Sequence, residues 1–250
     1  MGSISSGNFQ KIWSFGDGVS SSTAEDTTKI YATHGSYPVR LELISDFNCR
    51  DTFEQTLVVH PQPKAYFSIN DSLQCFRDHK IVSTNKSTLD QGTFKKTLWT
   101  TDNTDYSNTD TITHTYSSPQ DYTIHLSVES DKGCFDSSSK DVTIFPMPKA
   151  LFTADTVCLG DDISFNNLTE FDNGDLSYQW DFGDSQISTE KSPIHRYGVT
   201  DSFNVTLIVI SKQNCSDTAQ FNKVAIVHPV PTAGFYYSKN NSWQKETEYI

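Results

Sequence analysis

The sequence predicts an all-β chain built of tandem two-sheet antiparallel sandwiches. Three observations lead there. A unit of about 80 residues recurs with a fixed internal register, Val, Ile, Phe and Tyr sit in short alternating runs between Gly, Pro, Asn and Asp, and the 3.6-residue apolar period of a helix is absent.

The repeat is clearest at the cysteines. "DFNCRDT", "DKGCFDS" and "KQNCSDT" place Cys49, Cys134 and Cys215 at steps of 85 and 81 residues. Twelve residues before each stand Tyr37, Tyr122 and Phe203, and six before those stand Tyr31, Tyr116 and Tyr197. The junctions "HPQPKAYF", "FPMPKALF" and "HPVPTAGF" begin at His60, Phe145 and His228, and Trp13, Trp99 and Trp180 keep the same beat. The chain divides accordingly into a partial repeat at 1–60 that lacks strands A and B, complete repeats at 61–145 and 146–228, and the start of a further, truncated repeat at 229–250. In this register residue 1 falls between strands B and C.

The third repeat shows why such a unit folds. "KALFTADT" alternates as strand A, "DDISFNNLT" as strand B and "LSYQWDFGD" as strand C ending in a turn; "SFNVTLIVIS" is a long strand F and "AQFNKVAIVHP" strand G. About seven short strands in a unit of this length make a two-sheet sandwich. On strand C, Trp180 and Phe182 share the core face and Asp181 points away. Gly183 and Asp184 then turn the chain, glycine by its freedom at positive φ and aspartate by accepting backbone N–H groups. Trp13, Phe15, Gly16 and Asp17 repeat the device, whereas the second repeat reads "LWTTDN" and keeps Trp99 alone.

Charge narrows the function. The net charge of −12 has the wrong sign for binding a phosphate backbone or anionic lipid. No apolar run reaches the roughly 20 residues of a membrane span, so nucleic acid and membrane insertion are excluded as expectations. No nucleophile elbow, zinc motif, P-loop or dinucleotide fingerprint occurs, and the chain is read as no enzyme.

"WSFGDG" and "WDFGDS", with "HRY" at His195–Tyr197 and the strand "FNVTLIVIS", resemble the PKD domain, an Ig-like β-sandwich found in polycystin and in many bacterial secreted proteins. The resemblance covers nearly all of the chain as tandem copies. The early and late cysteines look like the PKD arrays of Bacteroidetes surface proteins, including gliding-associated and type IX-secreted ones. Two departures stand out: the second repeat lacks F-G-D-G, and Lys29 stands where the others have His114 and His195.

Cys75 and Cys134 are 59 residues apart and Cys158 and Cys215 are 57 apart. With the first cysteine after strand A and the second at the F–G turn, both near one end of the sandwich, the spacing predicts the intradomain disulfides Cys75–Cys134 and Cys158–Cys215, with Cys49 unpaired. Each would close a loop worth roughly 4 kcal/mol in the chain-entropy model, and disulfides imply an exported chain. Tyr31, Tyr116 and Tyr197 are expected to cap a corner of the sandwich, with the histidine two residues earlier packed beside the ring. Asp17, Asp181 and Asp184 are the calcium candidates among the loop acids; no EF-hand-type loop is present, turn capping accounts for them, and no cofactor is expected.

Repeated sandwiches on Pro-x-Pro linkers make a semi-rigid rod. The reading is a non-catalytic extracellular stalk or adhesion segment of a larger secreted or bacterial cell-surface protein, with a protein or polysaccharide surface ligand. The alternative is an accessory binding module of an exported hydrolase, since PKD-like modules also sit beside catalytic domains. Plain disorder of both ends is the first expectation; the alternative is that residues 232–250 offer strand material to the open first repeat of another molecule, giving head-to-tail association.

Overall fold

The computed structural model describes residues 9–18, 21–22, 28–234, 236–237 and 243–244. Every regular element among them is a strand. The first repeat carries β1 (Phe9–Ser14), β2 (Ser21–Ser22), β3 (Gly35–Ser45) and β4 (Arg50–Val59) in one antiparallel sheet of order β2-β1-β3-β4. The second carries β5 (Phe67–Ile69), β6 (Leu73–Cys75), β7 (Ile81–Asn85), β8 (Phe94–Thr100), β9 (Asp105–Ser107), β10 (Thr111–His114), β11 (Asp121–Ser130) and β12 (Phe135–Phe145). The third carries β13 (Phe152–Ala154), β14 (Thr156–Cys158), β15 (Ile163–Asn167), β16 (Leu176–Asp181), β17 (Ile187–Ser188), β18 (Ile194–His195), β19 (Ser202–Ser211) and β20 (Ser216–His228). A last antiparallel pair joins β21 (Tyr236–Tyr237) to β22 (Trp243–Gln244). The remainder of 232–250, on which the alternative of self-association rests, lies largely outside the described residues.

Each complete repeat has the same two sheets: β10-β7-β5 with β6-β12-β11-β8-β9, and β13-β15-β18 with β14-β20-β19-β16-β17. The chain is thus all-β, in tandem Ig-like sandwiches. By compactness it forms two units, 1–72 with 80–115 and 121–142, and 73–79 with 116–120 and 143–250.

Alternation fills the cores. In the first unit Ile124, Leu126 and Val128 of β11 are wholly buried around Trp99, whose ring meets Phe67 edge-on at 5.2 Å. In the second unit Val205, Leu207 and Val209 of β19 do the same around Trp180, which meets Phe152 edge-on at 5.0 Å. Both indoles donate Nε1–H to a carbonyl ten residues on, Thr109 and Glu190, each at 2.9 Å. In the first repeat the matching Val39, Leu41, Leu43 and Trp13 are only half-buried, and Phe53 and Leu57 of β4 are exposed.

Strand A is two strands, and this moves the cysteines. In the third repeat β13 pairs antiparallel with β15 in one sheet; after Asp155 the chain crosses, and β14 runs parallel to the end of β20, with Cys158 beside His228. In the second repeat β5 and β6 divide in the same way, with Cys75 beside Phe145 at the end of β12. Cys134 and Cys215 stand just before the other ends of β12 and β20. A strand of 11 residues spans about 35 Å at 3.3 Å per residue, whereas a disulfide holds Cα atoms within about 7 Å. The intradomain pairs Cys75–Cys134 and Cys158–Cys215 are therefore incorrect. Cys75 is bonded to Cys215, with Cα atoms 5.6 Å apart, and Cys49, Cys134 and Cys158 are free thiols.

Candidate functional site

Two constellations are built from repeat-specific residues: the turn after strand C, and the junction around Cys75–Cys215.

At the turn, Gly183 has φ +80° and Asp181 accepts its N–H at 2.9 Å. Asp184 accepts Gln186 N–H at 3.0 Å through Oδ1 and meets His195 Nε2 at 2.7 Å through Oδ2. The His195 ring stacks on Phe182 with centroids 4.2 Å apart. Tyr197 donates its hydroxyl to the Phe182 carbonyl at 2.8 Å. Burial, with Asp184 and Asp181 adding to it, pushes Tyr197 above the ordinary tyrosine range, so it remains a protonated donor.

The first repeat repeats the arrangement with other chemistry. Tyr31 donates to the Phe15 carbonyl at 2.8 Å, and Lys29 pairs with Asp17. Gly16 has φ +72°. In the second repeat His114 meets Asp102 at 3.0 Å through Nε2 and Tyr106 at 3.0 Å through Nδ1, and Tyr116 is buried, with its N–H donated to His79 Nε2 at 2.7 Å. The residue two before Tyr31, Tyr116 and Tyr197 is thus the basic partner of the turn acid in all three repeats. That explains why Lys29 replaces histidine, a substitution the sequence shows without its reason. The expected corner cap is corrected at Tyr116, whose hydroxyl does not bond the turn carbonyl and whose ring stacks on His79 rather than His114. Asp17 and Asp184 are engaged by these bases and Asp181 by its own turn. Groups of three or more His, Cys, Asp or Glu suited to a metal ion do not occur among the described residues.

The junction was missed in the sequence. Cys215 is almost fully buried and bonded to Cys75, and two residues beyond each cysteine Asp217 Oδ1 accepts from Arg77 Nη2 at 2.7 Å. Asp217 Oδ2 accepts the N–H of Ala150, just after the Pro-Met-Pro linker, at 2.8 Å. Burial alone would raise the Asp217 carboxyl, but the Ala150 amide, the Arg77 guanidinium and the Thr218 amide together hold it below the ordinary carboxylate value. In the second repeat Asp136 accepts the N–H of Ala65 in the same way at 2.8 Å. The available signal was an aspartate two residues after each turn cysteine: Asp51, Asp136 and Asp217.

With this geometry in hand, comparison with known proteins is decisive. The model of the PKD domain family matches residues 5–61 and 146–226. The chain belongs to the PKD domain family. Its PKD sequence is 37% identical over 82 residues to the pre-pro-metalloprotease PrtV of Vibrio cholerae, a stretch that is 32% of this chain and 9% of that protein. Collagenase ColA of Clostridium perfringens is 29% identical over 115 residues, 44% of this chain and 10% of that one. The matched stretches thus span about a tenth of the length of these curated relatives. Among solved structures, the PKD1 domain of Vibrio anguillarum Epp is 30% identical and covers 32% of this chain and 95% of its own, with a TM-score of 0.30. No helix among the described residues is long and apolar enough to cross a membrane.

Proposed function

We propose that the chain is a non-catalytic extracellular segment of a larger secreted or cell-surface protein, a stalk or adhesion spacer in which residues 61–145 form a PKD repeat like the two matched regions. The observation that carries this reading is the Cys75–Cys215 bond, which joins the end of one repeat's A strand to the next repeat's F–G turn. Disulfides of this kind persist in oxidising compartments, which supports export. A bond between repeats, placed beside the Asp217 cap on the linker, suits a part whose work is to hold a chain of sandwiches together.

The second reading, an accessory module of an exported hydrolase, is favoured by the relatives, whose names are those of a metalloprotease and collagenases. A retention assay separates the two. Oxidised protein is passed over insoluble collagen, chitin and cellulose. The stalk reading expects no saturable retention on any of them. Saturable binding to one matrix would replace it with the accessory reading and name the substrate class.

A further inference from the structure

The three free cysteines are not scattered. Each occupies a position that is bonded in another repeat. Cys75 and Cys158 are both the last residue of a three-residue strand parallel to the end of strand G. The residue after each donates its N–H to the residue opposite: Phe76 to Phe145 and Leu159 to His228, both at 2.8 Å. Cys75 is bonded, while Cys158 is exposed.

The turn cysteines are equally alike. Ser211 N–H donates to the Cys215 carbonyl at 2.9 Å and Cys215 N–H returns to Ser211 Oγ at 3.2 Å. Ser130 and Cys134 make the same two bonds at 2.8 and 3.2 Å, and Ser45 and Cys49 at 2.9 and 3.1 Å. Three turns of one build therefore present a cysteine with an aspartate two residues on, and one of them is seen bonded to the strand-end cysteine of the repeat before it.

The linker supplies the remaining piece. Ala150, whose N–H Asp217 caps, lies 75 residues after Cys75; Ala233 lies 75 residues after Cys158, behind the same Pro-x-Pro. The bonded pair is separated by 140 residues, and the same step from Cys158 leads past residue 250.

We propose that Cys158 is half of a second inter-repeat disulfide, whose other half is the F–G-turn cysteine of a PKD sandwich joined through the linker at residues 229–231. The partner is recognised by its chemistry: a Ser-x-x-x-Cys-x-Asp turn, with the thiol meeting Cys158 and the carboxylate accepting Ala233 N–H. Gly160 stands where Arg77 stands in the repeat before, so this junction has the bond and the amide cap without the ion pair. The step joins two thiols as one S–S bond. The two protons and two electrons pass to a disulfide oxidant, which leaves as two thiols. The inference holds under either reading of function.

The test lengthens the chain. After Pro231 the full protein is continued with a second copy of residues 149–228, so that the third repeat follows itself. The added copy carries Cys158→Ser, and Lys223→Arg to give its turn peptide a distinct mass. Both chains are folded with oxidised glutathione, alkylated and mapped without reduction. Cys75–Cys215 in each map shows that the array has folded. In the original chain Cys158 is alkylated; in the longer one it is joined to the added Cys215, and Cys215→Ser in the added copy returns it to the thiol. Cys158 left alkylated in the longer chain, or joined to Cys49, Cys134 or a second molecule, overturns the proposal.

Discussion

Substituting Gly183 by alanine separates two costs that glycine usually hides together. Gly183 has φ +80°, and a Cβ built on it falls 2.3 Å from the Asn204 carbonyl oxygen. An ordinary C···O contact is about 3.3 Å or more, so the overlap is near 1 Å against the backbone of β19, held between β16 and β20. Gly133 has φ +79° with nothing within 4 Å of its Cβ position. Its counterparts in the other repeats are Asn48 and Asn214, at φ +64° and +65°. Gly133→Ala should therefore show the backbone term alone, about 1–2 kcal/mol. Gly183→Ala adds a clash of about 1–3 kcal/mol. Native-state hydrogen exchange read by mass spectrometry reports each sandwich separately. With about 1.4 kcal/mol for each tenfold, amides of Val205–Val209 should lose on the order of 100-fold or more of protection in Gly183→Ala. Amides of Ile124–Val128 should lose about tenfold in Gly133→Ala. Equal losses would refute the reasoning, and with it the claim that the first glycine of Gly-Asp is required by close approach. Gly16 is the same position in the first repeat, where a Cβ would lie 2.7 Å from Pro38.

Trp180→Ala should cost about 3–5 kcal/mol, since it empties a fully buried site and orphans the Glu190 carbonyl, checked by denaturant melts of the full chain. Tyr197→Phe should cost about 1 kcal/mol by the same melts, for the lost bond to the buried Phe182 carbonyl. Asp217 is held below its ordinary carboxyl value, so its stabilisation is complete above the ordinary value near 4 and is lost as pH falls through the lowered one. Asp217→Asn should thus be destabilised relative to the parent at pH 6 and converge on it towards pH 2–3 in thermal melts.

Much of the fold was legible because it rests on side chains. The alternation in "SFNVTLIVIS" gives β19 and its buried face, and the spacing of Trp180, Phe182, Gly183 and Tyr197 gives strand C, its turn and the corner. The division of strand A was not legible. Which sheet a three-residue strand joins is decided by main-chain pairing, and "TADTVC" carries no period long enough to show the crossing at Asp155. Without the crossing, Cys158 falls at the wrong end of the sandwich, and the incorrect pairing follows from that one step. Arg77 and Asp217 come from separate repeats and carry no local pattern linking them; only the recurrence of an acid two residues after each turn cysteine marked the site.

The crossing has a further effect on how such an array folds. Adjacent repeats of similar sequence are tethered at high local concentration, which favours wrong pairing between neighbours and domain swapping. Long bare strand edges are the route by which it happens. In the complete repeats the second half of strand A is laid along the end of strand G, and the five-stranded sheet then ends in three-residue strands, or a two-residue one at β17. The last three residues of strand G, Thr143–Phe145 and Ile226–His228, are thereby closed to a misdirected neighbour's strand. The same crossing that carries Cys75 to the junction therefore also seals the end of strand G against pairing with a neighbouring repeat.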